Sequence, residues 1–100
     1  MNMNMLMQQA QKMQRDIEKS KEEFENKDFS FSAAGGAIEI VIKGSKKLSS
    51  INIDESLLED KEMLEDCVKA AINSAVDMVN AEYEKAMAKV SGGMNIPGMF

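Results

Sequence analysis

Residues 61–91 read KEMLEDCVKAAINSAVDMVNAEYEKAMAKVS, and the length of this stretch decides the fold. Leu64, Val68, Ile72, Ala75, Val79, Tyr83, Ala86 and Val90 recur at helical spacing and make one continuous apolar stripe. Lys85 and Lys89 fall near its end and Gly92-Gly93 stop it, as a helix terminus favours. At ~1.5 Å per residue this helix runs about 45 Å. The strand predicted at Ala37 to Lys43 covers only about 23 Å. A helix that stays amphipathic so far beyond the sheet must bury its far half elsewhere. The N-terminal helix is the predicted partner, and the pair would form an arm projecting from a small body.

That first helix is predicted over Asn4 to Asn26. Met3, Leu6, Ala10, Met13, Ile17, Ser20 and Phe24 step alternately by three and four, a heptad seam suited to lengthwise packing on another helix. Phe29-Ser30-Phe31-Ser32 alternates strictly and predicts a half-buried strand. Gly35-Gly36 supplies a tight turn, because glycine accepts the positive φ that two-residue hairpins require. Ile38, Ile40 and Ile42 line one face of a second strand, with Val41 as an exception on the other. After a turn at Gly44-Ser45-Lys46-Lys47, a third strand from Leu48 to Ile53 places Ile51 and Ile53 together. Asp54 to Asp60 then holds a capping-box pattern, Ser56 with Glu59, ahead of the long helix.

The predicted class is α+β, ordered α-β-β-β-α, with a three-stranded antiparallel meander and long projecting helices. One domain is expected over residues 1–100: a helix over 1–27, the meander over 28–53, a helical segment over 54–91 and a loosely tethered tail over 92–100. A small meander leaves edges and a face to protect, so a homodimer is expected.

Composition narrows the setting. No basic, apolar leader opens the chain, and no apolar run approaches the ~20 residues of a membrane span. The lone Cys67 cannot form an internal disulfide, so a reducing cytoplasm is expected. Net charge is −5, but it is unevenly spread. Residues 1–27 are balanced and 28–53 slightly basic, while 54–100 hold ten acids against four lysines. Any polyanion must therefore be met locally, by patches held away from the acidic segment.

Catalysis is disfavoured by inventory, since the chain has no His, one Cys and no serine in a nucleophile elbow. The acids Glu59, Asp60, Glu62, Glu65 and Asp66 lack calcium-loop spacing and suit a solvated helix start. Met1, Met3, Met5 and Met7 could ligate Cu(I), but without supporting His or Cys they read as packing residues. Cys67 lies beside the apolar stripe and reads as a small buried hydrophobe. Asn73 and Asn80 read as solvent-facing. No cofactor, metal or small-molecule substrate is expected.

The cations carry the functional signal. Lys12, Arg15 and Lys19 fall on the face of the first helix turned away from its seam, where they can contact phosphates, with Gln8, Gln9 and Gln11 as polar donors. Lys85 and Lys89 form a second short row, predicted to lie toward the Lys12 end of the arm. Lys43, Lys46 and Lys47 make a third patch, whose default explanation is solubility.

Taken in order, these segments resemble the YbaB/EbfC family of small bacterial nucleoid-associated proteins. The resemblance rests on Met7-Gln8-Gln9-Ala10-Gln11-Lys12-Met13-Gln14, Gly35-Gly36 before an alternating strand, and the Gly44 turn. It rests further on Ile53-Asp54, Ser56-Leu57-Leu58, Glu62 to Asp66, Ala70 to Ala75, and the closing Val90 to Met94 with Pro97-Gly98. Glu55 departs from the family pattern, where a proline is common at that position. The resemblance implies a tweezer-shaped homodimer whose helical arms reach around double-stranded DNA, in the cytoplasm and at the nucleoid, with effects on chromosome organisation or transcription. It brings Lys12, Arg15, Lys19, Lys85 and Lys89 forward as candidate DNA contacts. The competing reading is a protein-interaction or chaperone-like adaptor, which the methionines, the hydrophobic tail and the net acidity would suit.

Overall fold

The computed structural model describes residues 2–92, and the tail expected over Met94 to Phe100 lies outside them. The elements follow the predicted order: helix α1 (Met3–Asn26), strands β1 (Asp28–Ala33), β2 (Ile38–Lys43) and β3 (Leu48–Ile53), and helix α2 (Lys61–Gly92). Two short 3-10 turns, Ala34–Gly36 and Glu55–Glu59, join them.

The strands form one antiparallel sheet in the order β1-β2-β3. Directly opposed residues of such a ladder share a face. Phe29 stands opposite Ile42, Phe31 opposite Ile40, Ile51 opposite Ile40 and Ile53 opposite Ile38, so one side of the sheet is apolar throughout. Ile38, Ile40 and Ile42 at its centre are buried, which identifies β2 as the core strand. The other side carries Ser30, Ser32, Glu39, Ser50 and Asn52, with Val41 as its apolar member.

Helix α2 lies across the apolar side. Its buried residues are Ala71, Ala75 and Val79, with Leu64, Val68, Ile72, Tyr83 and Ala86 half-buried around them. Every member of the stripe read from the sequence is thus buried or half-buried, and the reading omitted only the buried Ala71. Small side chains let the helix backbone approach the isoleucines of β2, and the larger residues fill the flanks of the contact. Cys67 is half-buried at that margin, more open than the buried hydrophobe expected of it.

The two ends of this core are closed by single residues. Leu57, from the second 3-10 turn, closes one. Phe24 of α1 closes the other, its ring 5.3 Å from those of Phe29 and Tyr83 and edge-on to Tyr83 at 70°. Beyond Phe24, α1 meets the C-terminal part of α2, with Ile17 and Ser20 half-buried. Residues 2–16 are exposed without exception, Met3 at 72%, Leu6 at 42% and Met13 at 37%. Among the described residues the heptad seam is therefore used within the chain only at Ile17, Ser20 and Phe24. The element left uncovered is chiefly the N-terminal half of α1, because α1 continues past the end of α2, and the molecule measures 69 × 26 × 16 Å.

Local details depart from the sequence reading in two places. The β1–β2 connection is a four-residue loop, with Ala34, Gly35 and Gly36 all at positive φ, where a two-residue turn was expected. Ser56 does not cap α2. Asp54 caps the second 3-10 turn by accepting from the Ser56 backbone N–H at 3.2 Å and from its hydroxyl. Asp60 takes the helix start, its Oδ1 accepting from the Met63 N–H at 3.1 Å.

The β2–β3 turn is pinned to the end of α1. The Gly44 N–H donates to the Lys27 carbonyl at 2.9 Å, and the Ser45 N–H to the Glu25 carbonyl at 3.2 Å. A Cβ on residue 44 would stand 1.9 Å from the Phe24 carbonyl oxygen, so only glycine fits there. Gly44→Ala is expected to lower stability by roughly 3 kcal/mol, the upper range for overpacking. Chemical denaturation checks this, and a loss below about 1 kcal/mol would show that the turn yields without cost. The hydrogen bonds from Ser56 hold the Asp54 carboxyl below its ordinary value of 3.8, the side-chain bond first. A depressed carboxyl stabilises the fold above the unfolded pKa, and that contribution is lost as pH falls through the folded one. A carbon-detected NMR titration should place Asp54 below 3.8 and show a smaller depression in Ser56→Ala, which loses the side-chain bond but keeps the backbone N–H.

Candidate nucleic-acid interface

The projecting part of α1 presents two faces of different chemistry. At about 100° per residue, Lys12, Arg15 and Lys19 fall roughly 180–240° around the helix from Phe24. They therefore face away from α2 and the sheet, and all three are exposed. Asp16, Glu18, Glu22 and Glu23 flank them on the same helix, yet no carboxylate lies within 4.0 Å of any of the three cations among the described residues. Gln11, Gln14, Arg15 and Glu18 border a shallow depression on this surface. Its chemistry is that of hydrogen-bond donors and mobile positive charge, suited to phosphate oxygens rather than to a buried ligand.

The second predicted row lies elsewhere. Lys85 and Lys89 line a cleft of about 660 Å³ at the base of the arm, together with Ser20, Glu23, Lys27 and Phe29. The Lys85 ammonium pairs with Glu82 at 3.6 Å. Ser20 of this cleft adjoins Lys19 but is eight residues from Lys12, about 12 Å along the helix axis, so the second row sits by the Lys19 end of the first. The offset follows from the Phe24–Tyr83 contact, which aligns the two helices and cannot be read from either helix alone.

Sequence reasoning missed Lys27. It occupies the C-cap of α1, lines the same cleft, and holds its ammonium 5.3 Å from the centroid of the Phe29 ring. The available signal was its place between a helix and an aromatic strand, which brings a long cationic side chain over the first ring of β1. Acidic side chains are concentrated on α2 and the segment before it, away from the exposed half of α1. Among the described residues no three metal-binding side chains cluster, and no helix is long and apolar enough to cross a membrane.

The model of the YbaB/EbfC DNA-binding family matches residues 1–94. A nucleoid-associated protein of Clostridium kluyveri is 48% identical across 99% of this chain and 89% of its own. One from Alkaliphilus metalliredigens is 46% identical over the same shares, and one from Xylella fastidiosa 38% identical over 99% and 92%. Among solved structures, an uncharacterized protein of Helicobacter pylori, HP0035, superposes with a TM-score of 0.74 at 22% identity, over 89% of this chain and 96% of that one. That likeness concerns the fold.

Proposed function

Because this chain belongs to the YbaB/EbfC DNA-binding family, we propose that it grips duplex DNA as a homodimer, without catalysis, and so influences chromosome organisation or transcription. The family and the names of its relatives make it a nucleoid-associated, DNA-binding protein. One observation carries the finer reading: α1 projects beyond the body with Lys12, Arg15 and Lys19 exposed and unpaired among the described residues. The fully exposed stretch of about 14 residues is about 21 Å long, the rise of about six base pairs at 3.4 Å each. Phosphates along one groove edge are then within reach of the stripe, while the acidic α2 side repels DNA from other approaches.

Apolar surface supports the dimer. Leu48 and Ile51 share the apolar side of the sheet with Ile42 and Ile40, yet remain 43% and 41% exposed because α2 covers mainly β2 and β1. Leu58 and Met63 are exposed as well. A second copy of the same chain would cover this surface and set two arms side by side.

The double substitution Lys12→Glu with Arg15→Glu is expected to abolish the mobility shift of duplex DNA and leave the dimer intact by sedimentation. Undiminished binding by that folded variant would remove the stripe from the interface. Ile51→Lys is expected to shift the sedimenting species to the monomer, and an unchanged dimer would move the subunit contact off β3. The exposed methionines of the arm favour a second reading, an adaptor that docks proteins. Partners that are recovered equally well after nuclease treatment would support it over DNA binding.

A further inference from the structure

We propose that the β2–β3 turn at the foot of the arm is a second phosphate-contacting surface, with Lys46 and Lys47 as its ligands. The proposal rests on the reading of the chain as a duplex-DNA binder and adds a contact zone distinct from the α1 stripe.

The turn is built in an unusual way. The Lys46 N–H donates to the Lys43 carbonyl and the Lys43 N–H to the Lys47 carbonyl, both at 2.8 Å, which makes a three-residue hairpin loop of Gly44, Ser45 and Lys46. The third residue of such a loop takes the left-handed conformation and is usually glycine or asparagine. Here it is Lys46, at φ +72°. The glycine of the loop stands instead at position 44, where contact with Phe24 admits no side chain. A cationic side chain thus occupies the position in the turn where the backbone favours one least.

Helix capping does not account for these lysines. Cations near a helix C-terminus commonly compensate its last carbonyls. Several carbonyls at this helix end are already engaged: Glu22 by the Asn26 side-chain amide, Phe24 by the Lys27 N–H, Glu25 by the Ser45 N–H and the C-cap Lys27 by the Gly44 N–H. Nor are the lysines neutralised locally. Lys43 pairs with Asp28 at 3.4 Å and so occupies one of the two nearby acids. The other, Glu25, shares a shallow cleft with Lys46 but forms no ion pair with it within 4.0 Å. Lys27, Lys46 and Lys47 have no carboxylate partner within that distance among the described residues. The result is a rigidly mounted, locally positive foot on a chain of net charge −5.

Its place suits a second contact. Lys27 follows Lys12 by 15 residues, about 22 Å along α1. Phosphates met by the turn are therefore different from those met by the arm, some six base pairs away at 3.4 Å per pair.

The test is a salt titration of duplex binding by the full chain and four variants. Lys46→Gln with Lys47→Gln is expected to weaken binding about tenfold at low salt and to reduce the log–log salt slope by about 1.8, at ~0.9 per phosphate contact. Lys12→Gln with Arg15→Gln should do the same independently, and the logarithmic losses of the combined variant should add. Lys46→Gly separates binding from folding. It relieves the left-handed lysine and should raise Tm by a few degrees while lowering the salt slope by about 0.9. If both turn variants keep the parent affinity and slope while the arm variant loses them, the turn proposal is overturned and the DNA-binding reading stands. Absence of duplex binding by the unmodified chain at low salt would overturn that reading, and this proposal with it.

Discussion

The ring of Phe24 lies 5.3 Å from the rings of both Phe29 and Tyr83, and its carbonyl oxygen occupies the space that a side chain on residue 44 would need. Four segments meet at this point: the end of α1, the start of β1, the middle of α2 and the β2–β3 turn. Of these, α1 has Phe24 as its buried residue. The direction in which α1 leaves the body, and therefore where its cations stand, is set by this junction. The aromatic pairs supply the packing, and the backbone hydrogen bonds from Gly44 and Ser45 prevent the helix end from sliding against the sheet.

Much of this was legible in the sequence, and the reasons are local. The alternating phenylalanines and isoleucines announced β1 and β2, and the heptad steps of α1 and the long apolar stripe of α2 announced the helices. What failed to show were the places where one segment is chosen for its fit to another. Ala71 is buried because a helix close to a sheet needs a small residue there, and beside the larger Ile72 it did not stand out in the apolar pattern. Ser56 looked like a cap, but Asp54 and Asp60 were better placed to accept the free amides. The two glycines at 35–36 suggested a shorter turn because nothing in the local pattern indicated that Ala34 also adopts positive φ. The stripe of Lys12, Arg15 and Lys19 could be read from spacing, whereas the position of Lys85 and Lys89 depended on the helix offset set at Phe24.

Charge and shape divide the labour in this small chain. The acids crowd α2 and the segment before it, the part that packs on the sheet, while the exposed half of α1 carries little net charge and a one-sided row of cations. Such an arrangement gives weak overall attraction to a polyanion and a strong dependence on orientation, since only the arm side offers positive charge at short range. Affinity from few cations is modest by nature, and pairing two arms in the proposed dimer would raise the effective concentration of the second without adding a new kind of contact.

The α1 arm is also a phase device. Its inner face and its cationic face are separated by rotation along one continuous helix, so both are referenced to Phe24. Adding or removing a single residue between Lys19 and Phe24 would turn the outer cations by about 100° relative to the junction at Phe24. A change of seven residues would restore both faces within about 20° and alter only the reach. Evolution can therefore lengthen or shorten this grip in steps of two helical turns with little disturbance, but steps of one residue point it in a different direction.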